Sequence, residues 1–266
     1  MPQAPPLITL LTDFGDRDWF VASMKGAILT INPAARIVDL THHIAPHDIA
    51  GAAYVLGACY RSFPDGTIHV VVVDPGVGTA RRPLLVSTSR CTFVAPDNGV
   101  LSHALAQESV VDVRQLEHAQ YKLQSAGSTF DGRDVFAPAA AWLSTGVRPE
   151  SFGRVLHDPV TMAIAVPRQE GQALVGQVVY VDRFGNLISN LTPQHLRDAQ
   201  ALTKRSSPRI GIGAYTIEGL VGSYSEGTTG APRALINSHG YLEIFVKEGR
   251  ASDVVKAARG ERITIA

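Results

Sequence analysis

Cysteine is scarce in this chain of 266 residues, which contains only Cys59 and Cys91. Two isolated cysteines build neither a disulfide framework nor the paired spacing of a zinc site. Structural disulfides belong to oxidising compartments. We therefore expect two buried free thiols in a cytoplasmic protein.

The chain also lacks a surplus of charge and a long apolar run. Lys and Arg together number 24, as do Asp and Glu, so the net charge is zero. Nucleic acids and anionic membranes both require a basic surplus, so neither partner is expected. No apolar run approaches the roughly 20 residues of a membrane span. The N-terminal stretch has neither a basic region nor a cleavage pattern, so we expect no signal peptide.

Apolar residues make up 45% of the chain, enough for a sizeable core. Up to about residue 165, apolar runs of strand length alternate with helical patterns, which predicts an α/β domain over 1–165. The run IHVVVVD consists mostly of β-branched residues, which is typical of a parallel strand buried on both faces. Strands are predicted over 7–11, 36–40 and 68–73, and helices over 18–32 and 48–63, the latter with Asp48 at its start.

The pattern changes near residues 166–174, after which short alternating runs dominate. Helical patterns are limited there to TPQHLRDAQ and ASDVVKAA. We therefore predict a small β-rich second domain over 172–266, built as a barrel or a sandwich.

Acidic residues follow several of the predicted strands of the first domain. Ligands of open α/β sheets bind beyond the carboxyl ends of the strands, so these loops predict a polar ligand site at one sheet edge. Turn formation is the alternative for Asp-Pro-Gly and Asp-Asn-Gly taken singly, and Asp134 also suits a helix cap, but four acidic loops at one edge favour the ligand site. The residues are Asp13, Asp16 and Asp18, then Asp74, the APDNG segment at 95–99, and Asp131, Arg133 and Asp134.

Two further motifs have simple interpretations. The segment THHIAPHD holds His42, His43 and His47, but it contains a proline and precedes a helix, so we predict a polar loop and no metal site. The segment GVGT has too few glycines for a dinucleotide-binding loop, and no lysine follows it as a phosphate-binding loop requires.

Five segments in this order form a recognisable set: TDFG with MKG, DPGVGTARR, APDNGVL, TFDGRDVFAPAAA and VDRFGNLISN. The set resembles the S-adenosyl-L-methionine (SAM) hydroxide adenosyltransferase family, relatives of the fluorinase and chlorinase enzymes. The resemblance implies an N-terminal α/β domain, a C-terminal β-barrel and a homotrimer with active sites between neighbouring subunits. SAM is then the substrate, attacked at ribose C5′, and neither metal nor cofactor takes part.

The resemblance also implies roles for individual residues. Asp74 and Arg81 match two members of an Asp–Arg–His group that positions and activates water. Asp13 is implied to bind the ribose, Asn186 the nucleoside and Tyr224 the adenine. The methionine ends are implied to be held by Asp18, Asp182 and Ser238. His47 stands where halide-using relatives carry a pocket aromatic. His47 is therefore a further implied substrate-binding residue, as are Thr129, Phe130 and Gly132 on either side of Asp131.

Two positions depart from the family pattern. Asp131 replaces the family histidine, and a carboxylate can accept a proton as an imidazole does. His239 replaces an arginine of the halide-using relatives at the methionine end. A second carboxylate near Asp74 should repel a halide, whereas neutral water tolerates it.

These observations leave several functions open. The first is a SAM hydrolase that releases adenosine and methionine. The second is a SAM-dependent halogenase on the same fold. The third is an adenosine- or SAM-binding protein with little turnover, because the family histidine is absent. A nucleoside phosphorylase is a weaker fourth, since acidic loops do not suit phosphate.

Overall fold

The computed structural model describes residues 6–266, which divide into two compact units that meet at Ala163 and Ile164 in the sequence. Residues 1–5, which begin the N-terminal stretch used to predict the absence of a signal peptide, lie outside the described residues. Over residues 6–266, none of the helices has the length and apolar character needed to cross a membrane.

The first unit shows the predicted alternation of strands and helices. Its sheet has the order β2-β1-β3-β5-β4-β6, in which the pairs among β2, β1, β3 and β5 are parallel and the last two pairs are antiparallel. The elements are β1 (Leu7–Thr12), α1 (Phe20–Ile31), β2 (Arg36–Thr41), α2 (Ile49–Cys59), β3 (Ile68–Val72), β4 (Pro83–Thr88), β5 (Thr92–Pro96), α3 (Ser102–Leu105), β6 (Val110–Gln115) and α4 (Ala137–Ser144).

Strand β3 lies in the middle of the parallel part of the sheet, between β1 and β5, and every one of its residues is buried. Its alternate side chains enter two cores on opposite faces of the sheet. Ile68, Val70 and Val72 pack with α1 and α4, whereas Val71 and Val73 pack with α2 and α3. The continuous β-branched run therefore predicted its environment correctly.

Two helix predictions need correction at their starts. Helix α1 begins at Phe20 rather than Asp18, which lies in the exposed bend before it. Asp134 does not cap a helix: it lies inside a π-helical turn, Gly132–Phe136, that leads into α4, and its carboxylate accepts from Arg133 Nε at 2.6 Å. Asp48 does cap α2, because its side chain accepts from the backbone N–H of Gly51 at 3.0 Å.

Both cysteines are free thiols, as expected. Cys91 is buried, but Cys59 is only partly buried, which corrects the prediction of two buried side chains. Burial raises the pKa of the Cys59 thiol to about 11, so this thiol stays protonated at neutral pH.

The second unit is built around one antiparallel sheet with two helices. The sheet has the order β11-β10-β14-β8-β9-β13-β12, and β7 pairs with β8 outside this path. Its elements are β7 (Arg168–Glu170), β8 (Ala173–Val181), β9 (Leu187–Ser189), α5 (Pro193–Thr203), β10 (Arg209–Ile212), β11 (Tyr215–Glu218), β12 (Pro232–Ile236), β13 (Leu242–Val246), α6 (Ala251–Val255) and β14 (Arg262–Ile265).

This sheet is barrel-like and nearly closed. The segment after β11 reaches β12, where the Val221 N–H donates to the carbonyl oxygen of Ala234 at 2.9 Å. The interior is filled by apolar side chains that include Val178, Leu242 and Ile263, all fully buried. The two helices occur at the two segments for which the sequence predicted them.

Candidate active site

Three parallel strands bring acidic residues to one edge of the first unit's sheet. Asp13 follows β1, Asp74 lies two residues after the end of β3, and Asp97 follows β5. Because β1, β3 and β5 are adjacent and parallel, their carboxyl ends lie side by side. Ligand sites of α/β sheets are typically found at such an edge.

Arg81 joins two aspartates from distant parts of the chain. Its Nε lies 3.1 Å from Asp74 Oδ1, and its Nη2 lies 2.5 Å from Asp74 Oδ2 and 2.7 Å from Asp131 Oδ2. The side chains of Arg81 and Asp74 are only 7% and 5% exposed, whereas that of Asp131 is 21% exposed. A planar guanidinium suits this arrangement, because it can donate to two carboxylates at once.

The loop after β3 explains how Arg81 returns to Asp74. A first turn closes where the Val77 N–H donates to the Asp74 carbonyl at 3.2 Å, and Thr79 Oγ1 then donates to the Gly76 carbonyl at 2.7 Å. Gly78 has φ +79, a conformation that L side chains rarely adopt, and a Cβ there would lie 3.3 Å from a backbone carbonyl oxygen. The Gly-rich segment therefore reverses the chain and places the arginine against the carboxylate.

Burial raises the pKa of the Asp74 carboxyl above its ordinary value, because it disfavours the charged form. The positive charge and hydrogen bonds of Arg81 oppose this effect, whereas the negative charge of Asp131 adds to it. Arg81 keeps one buried nitrogen, Nη1, without a hydrogen-bond partner among the described residues. The cluster therefore combines a carboxyl of raised proton affinity with a free donor.

A pocket of about 160 Å³ opens beside this cluster. Phe14, Phe20 and Phe130 form one aromatic wall, with ring centroids 5.2–5.9 Å apart. Gly132 is buried beneath it, and a Cβ there would lie 3.1 Å from Phe130 and 3.3 Å from Phe14. Thr129, Asp74 and Asp131 complete the polar part of the lining, so the pocket places two carboxylates against an apolar wall.

Asp13 is held by a backbone group rather than a side chain. The N–H of His47 donates to Asp13 Oδ2 at 2.8 Å, and His47 has φ +66. A left-handed conformation costs a residue other than glycine roughly 1–2 kcal/mol, so the surrounding loop holds this residue in place. The His47 side chain itself is exposed.

Replacing His47 tests whether its backbone or its imidazole matters. Glycine adopts this conformation freely, so His47→Gly should retain the Asp13 contact and leave turnover within about threefold of wild type. His47→Val should lower the free energy of unfolding by about 1–2 kcal/mol, because β-branched residues are strained there. Urea unfolding and turnover assays of both variants measure these effects. A large loss of turnover in His47→Gly, with stability intact, would show instead that the imidazole contacts substrate.

The three clustered histidines point to different partners. His42 is buried and its Nδ1 lies 2.9 Å from Thr12 Oγ1, while His43 is exposed and lies 3.6 Å from Asp16. Over residues 6–266, no group of three or more His, Cys, Asp or Glu side chains is arranged to hold a metal ion. The segment forms a polar loop, as predicted.

The APDNG loop turns its side chains inward rather than toward a ligand. Asp97 accepts from Arg82 Nε and from the Val160 N–H, both at 2.7 Å. Asn98 Nδ2 donates to the carbonyl oxygen of Val73 at 2.9 Å, directly before Asp74. The loop therefore supports the strand end that carries Asp74. Sequence reasoning missed this role, because it considered the motif as part of a ligand site or as a turn.

Two further acidic candidates of the first unit lie at the surface and outside the pocket. Asp16 and Asp18 are both exposed, in the bend before α1. Neither lines the pocket beside Asp74.

A second pocket, of about 430 Å³, lies on the second unit. It is lined by the predicted residues Asp182, Asn186 and Tyr224, together with Phe184 and Phe245. Asp182 is oriented by Asn186, whose backbone N–H and Nδ2 donate to its two oxygens at 2.8 and 3.1 Å. Phe184 is 73% exposed and was missed, although an aromatic residue between two predicted contacts in DRFGN was a usable signal.

Ser238 and His239 are both exposed, on the loop between β12 and β13. They do not line this second pocket. Asn237 shapes the loop, because its Oδ1 accepts from the backbone N–H groups of His239 and Tyr241 at 3.0 and 3.1 Å.

The fold and the pockets define a two-unit protein: an α/β unit with a buried carboxylate–guanidinium cluster, followed in the chain by a barrel-like unit with an aromatic pocket. The chain belongs to the SAM hydroxide adenosyltransferase family. Residues 8–153 match the model of its N-terminal domain, and residues 176–264 match that of its C-terminal domain. The resemblance inferred from the five segments is thereby confirmed.

Similar proteins cover nearly the whole chain. A protein named (R)-S-adenosyl-L-methionine hydrolase from Thermus thermophilus is 34% identical, over 95% of this chain and 96% of its own length. A protein of the same name from Salinispora arenicola is 31% identical, over 98% of this chain and 97% of its own length. A fluorinase of an Actinoplanes species is 26% identical over 90% of both chains. The crystal structure of an uncharacterized conserved protein from Thermotoga maritima superposes with a TM-score of 0.88 at 33% identity, covering 97% of this chain and 99% of that one.

Proposed function

We propose that this enzyme is a SAM hydrolase that releases adenosine and L-methionine. The observation that carries the proposal is the Asp74–Arg81–Asp131 cluster beside an apolar pocket. Relatives at 30–34% identity over nearly the full length are named (R)-S-adenosyl-L-methionine hydrolase, which supports the same reaction and the R configuration at sulfur.

The proposed chemistry suits this cluster. A water oxygen forms a bond to ribose C5′ while the C5′–sulfur bond breaks and its electron pair stays on sulfur. The sulfonium leaves as the neutral thioether of methionine, so no general acid is needed. The water loses one proton, which a carboxylate of the cluster accepts and later returns to solvent. Arg81 keeps the carboxylates oriented during this transfer.

The same cluster argues against a halide nucleophile. Asp74 and Asp131 place two carboxylates at one guanidinium, so the net charge nearby is negative when both are ionised. An anion entering the pocket would meet repulsion that a water molecule does not. The fluorinases are also more distant relatives, at 24–26% identity.

Product analysis tests this proposal. The protein incubated with SAM should release adenosine and methionine in equal amounts, at a rate unchanged by added chloride or fluoride. A matched concentration of sulfate controls for ionic strength, and chromatography separates the products. If 5′-chloro- or 5′-fluoro-5′-deoxyadenosine forms as the main product, the enzyme is a halogenase. If SAM binds but no product appears, it is the binding protein that the loss of the family histidine suggested.

The substrate contacts follow from the same proposal. Asp13 holds the ribose hydroxyls, since a carboxylate pairs well with a vicinal diol. Asn186 and Tyr224 contact the nucleoside, and Phe184 adds a second aromatic face. The methionine ends are held by Asp18, Asp182, Ser238 and His239.

The proposal extends to assembly. The first unit supplies the water and ribose loops as an α/β domain, and the second unit supplies the adenine and methionine contacts as the β-barrel of the family. The two sets of residues combine across neighbouring subunits of a homotrimer. SAM is the substrate, and the proposed reaction needs neither a metal nor a cofactor.

A further inference from the structure

We propose that Glu243 is a positioning residue that fixes the adenine side and the methionine side of the substrate site relative to each other. It does so by holding Tyr224 with one carboxylate oxygen and Asn237 with the other. The assignment of the two sides rests on the proposed function.

Glu243 is an unusual residue for its place in the fold. It lies on β13, where its neighbours Leu242 and Ile244 point into the core of the second unit. Glu243 therefore points to the opposite face of the sheet, yet it is only 3% exposed. A carboxylate is seldom so deeply buried unless its oxygens are hydrogen-bonded.

Two neutral donors satisfy this carboxylate. Tyr224 Oη donates to Glu243 Oε1 at 2.7 Å, and Asn237 Nδ2 donates to Oε2 at 3.1 Å. Tyr224 lies in the segment after β11, and Asn237 lies directly after β12, so a single side chain connects two loops.

On the adenine side, Glu243 fixes the tyrosine ring. Tyr224 packs edge-on against Phe245, with ring centroids 5.0 Å apart and planes at 90°. Burial and the hydrogen bond to Glu243 both raise the pKa of the Tyr224 phenol, so it stays protonated and continues to donate. The half-exposed ring lines the second pocket beside Asn186.

On the methionine side, Glu243 acts through Asn237. The Asn237 oxygen accepts from the backbone N–H groups of His239 and Tyr241, which leaves Nδ2 free for Glu243. This fixes the orientation of the amide, and with it the loop that carries Ser238. A displacement of Glu243 is thus transmitted to both loops.

Glutamine reproduces this arrangement only in part. Its amide has the shape of the carboxylate but only one oxygen, so its NH2 group must face one of the two partners. Asn237 Nδ2 can only donate and takes the oxygen, whereas the Tyr224 hydroxyl has to turn and accept from the NH2 group. Both hydrogen bonds lose the carboxylate charge that strengthens them, so Glu243→Gln should weaken the hold on both loops without changing the packing volume.

The first test is Glu243→Gln in the full-length protein. We expect KM for SAM to rise about tenfold while kcat changes less than threefold, because the residue orders the binding site and does not touch the reacting atoms. Glu218→Gln on β11 is the matched control, since Glu218 is exposed and pairs with Arg209 at 3.3 Å, and it should leave both constants unchanged. An unchanged KM in a folded Glu243→Gln protein would overturn the proposal.

A second test uses product binding and does not alter Glu243. Asn237→Asp keeps the acceptor for the loop but removes the donor to Glu243, and it should weaken adenosine binding at least threefold although Asn237 lies on the methionine side. Tyr224→Phe should likewise weaken methionine binding. Calorimetric titration with each product measures both effects. If each variant affects only the ligand on its own side, Glu243 does not couple them, whether or not Glu243→Gln folds.

These titrations separate the two proposals. Binding of adenosine and methionine requires no turnover, so a protein that shows the cross-effects but does not hydrolyse SAM contradicts the proposed function alone. A protein that hydrolyses SAM without cross-effects contradicts the inference about Glu243 alone.

Discussion

Replacement of Arg81 by methionine should give the largest loss of any single change in this protein. We expect the free energy of unfolding at neutral pH to fall by about 3–5 kcal/mol, because the change leaves buried Asp74 without its counter-ion. Turnover should fall by at least about 10²-fold, since neither carboxylate then keeps its orientation. Urea unfolding and adenosine release measure the two effects.

The loss of stability should depend on pH in a defined direction. Burial already raises the pKa of Asp74, and Arg81 is the main influence that lowers it. Without Arg81 the folded state holds the proton of Asp74 to a higher pH than the unfolded state does. Stability then falls as pH rises through this range, so Arg81→Met should be less destabilised near pH 5 than near pH 8.

Arg90→Met provides the control for Arg81. Arg90 likewise pairs with an aspartate, but with Asp65 alone, and this pair lies at the surface. Exposed pairs contribute little to stability, so the midpoint of unfolding should hardly move. If Arg81→Met behaved like Arg90→Met in both assays, the cluster would be neither a buried structural unit nor a catalytic one.

Replacement of Asp131 by asparagine should lower turnover about 10²-fold or more while leaving substrate affinity nearly unchanged. The reason is that Asp131 is the more exposed carboxylate on Arg81, and the sequence predicts that it takes the place of a family histidine, so its loss removes a proton acceptor. Steady-state kinetics separates kcat from KM. Asp65→Asn, at the surface, controls for the substitution itself.

The pH dependence gives a second measurement on the same variant. The negative charge of Asp131 raises the pKa of Asp74, so asparagine should lower it. Activity that needs the ionised Asp74 carboxylate is lost as pH falls, and in Asp131→Asn this loss should begin at a lower pH than in wild type. If activity is lost over the same acidic pH range in Asp131→Asn and in wild type, the two carboxylates do not interact.

Asp131→His distinguishes an Asp131 that accepts the proton of water from a protein that has no proton acceptor at this position. Histidine is the residue that the sequence resemblance implies at this position in other family members, so it should keep activity, with the pH profile displaced toward the titration of imidazole at about 6.5. Normal turnover in Asp131→Asn would make Asp131 a bystander. An inactive wild type together with an active Asp131→His would identify a binding protein that has lost its base.

Local patterns in the sequence predicted the elements of this protein well. The β-branched run at 68–73 predicted a strand buried on both faces, and Asp48 predicted a helix start. Both signals depend on a few neighbouring residues, so they survive in any tertiary context. The prediction failed at Asp134, where an acidic residue before an apolar run resembled a cap but lies inside a π-helical turn.

The tertiary structure alone decided what the polar residues do. Arg81 lies seven residues from Asp74 but 50 from Asp131, and only the folded sheet edge brings the three together. The same folding turned Asp97 toward Arg82 and buried Glu243 between two loops. The sequence by itself determined the family, the alternation of elements and the chemical groups available. Their partners depend on distances between segments far apart in the chain, which local patterns do not contain.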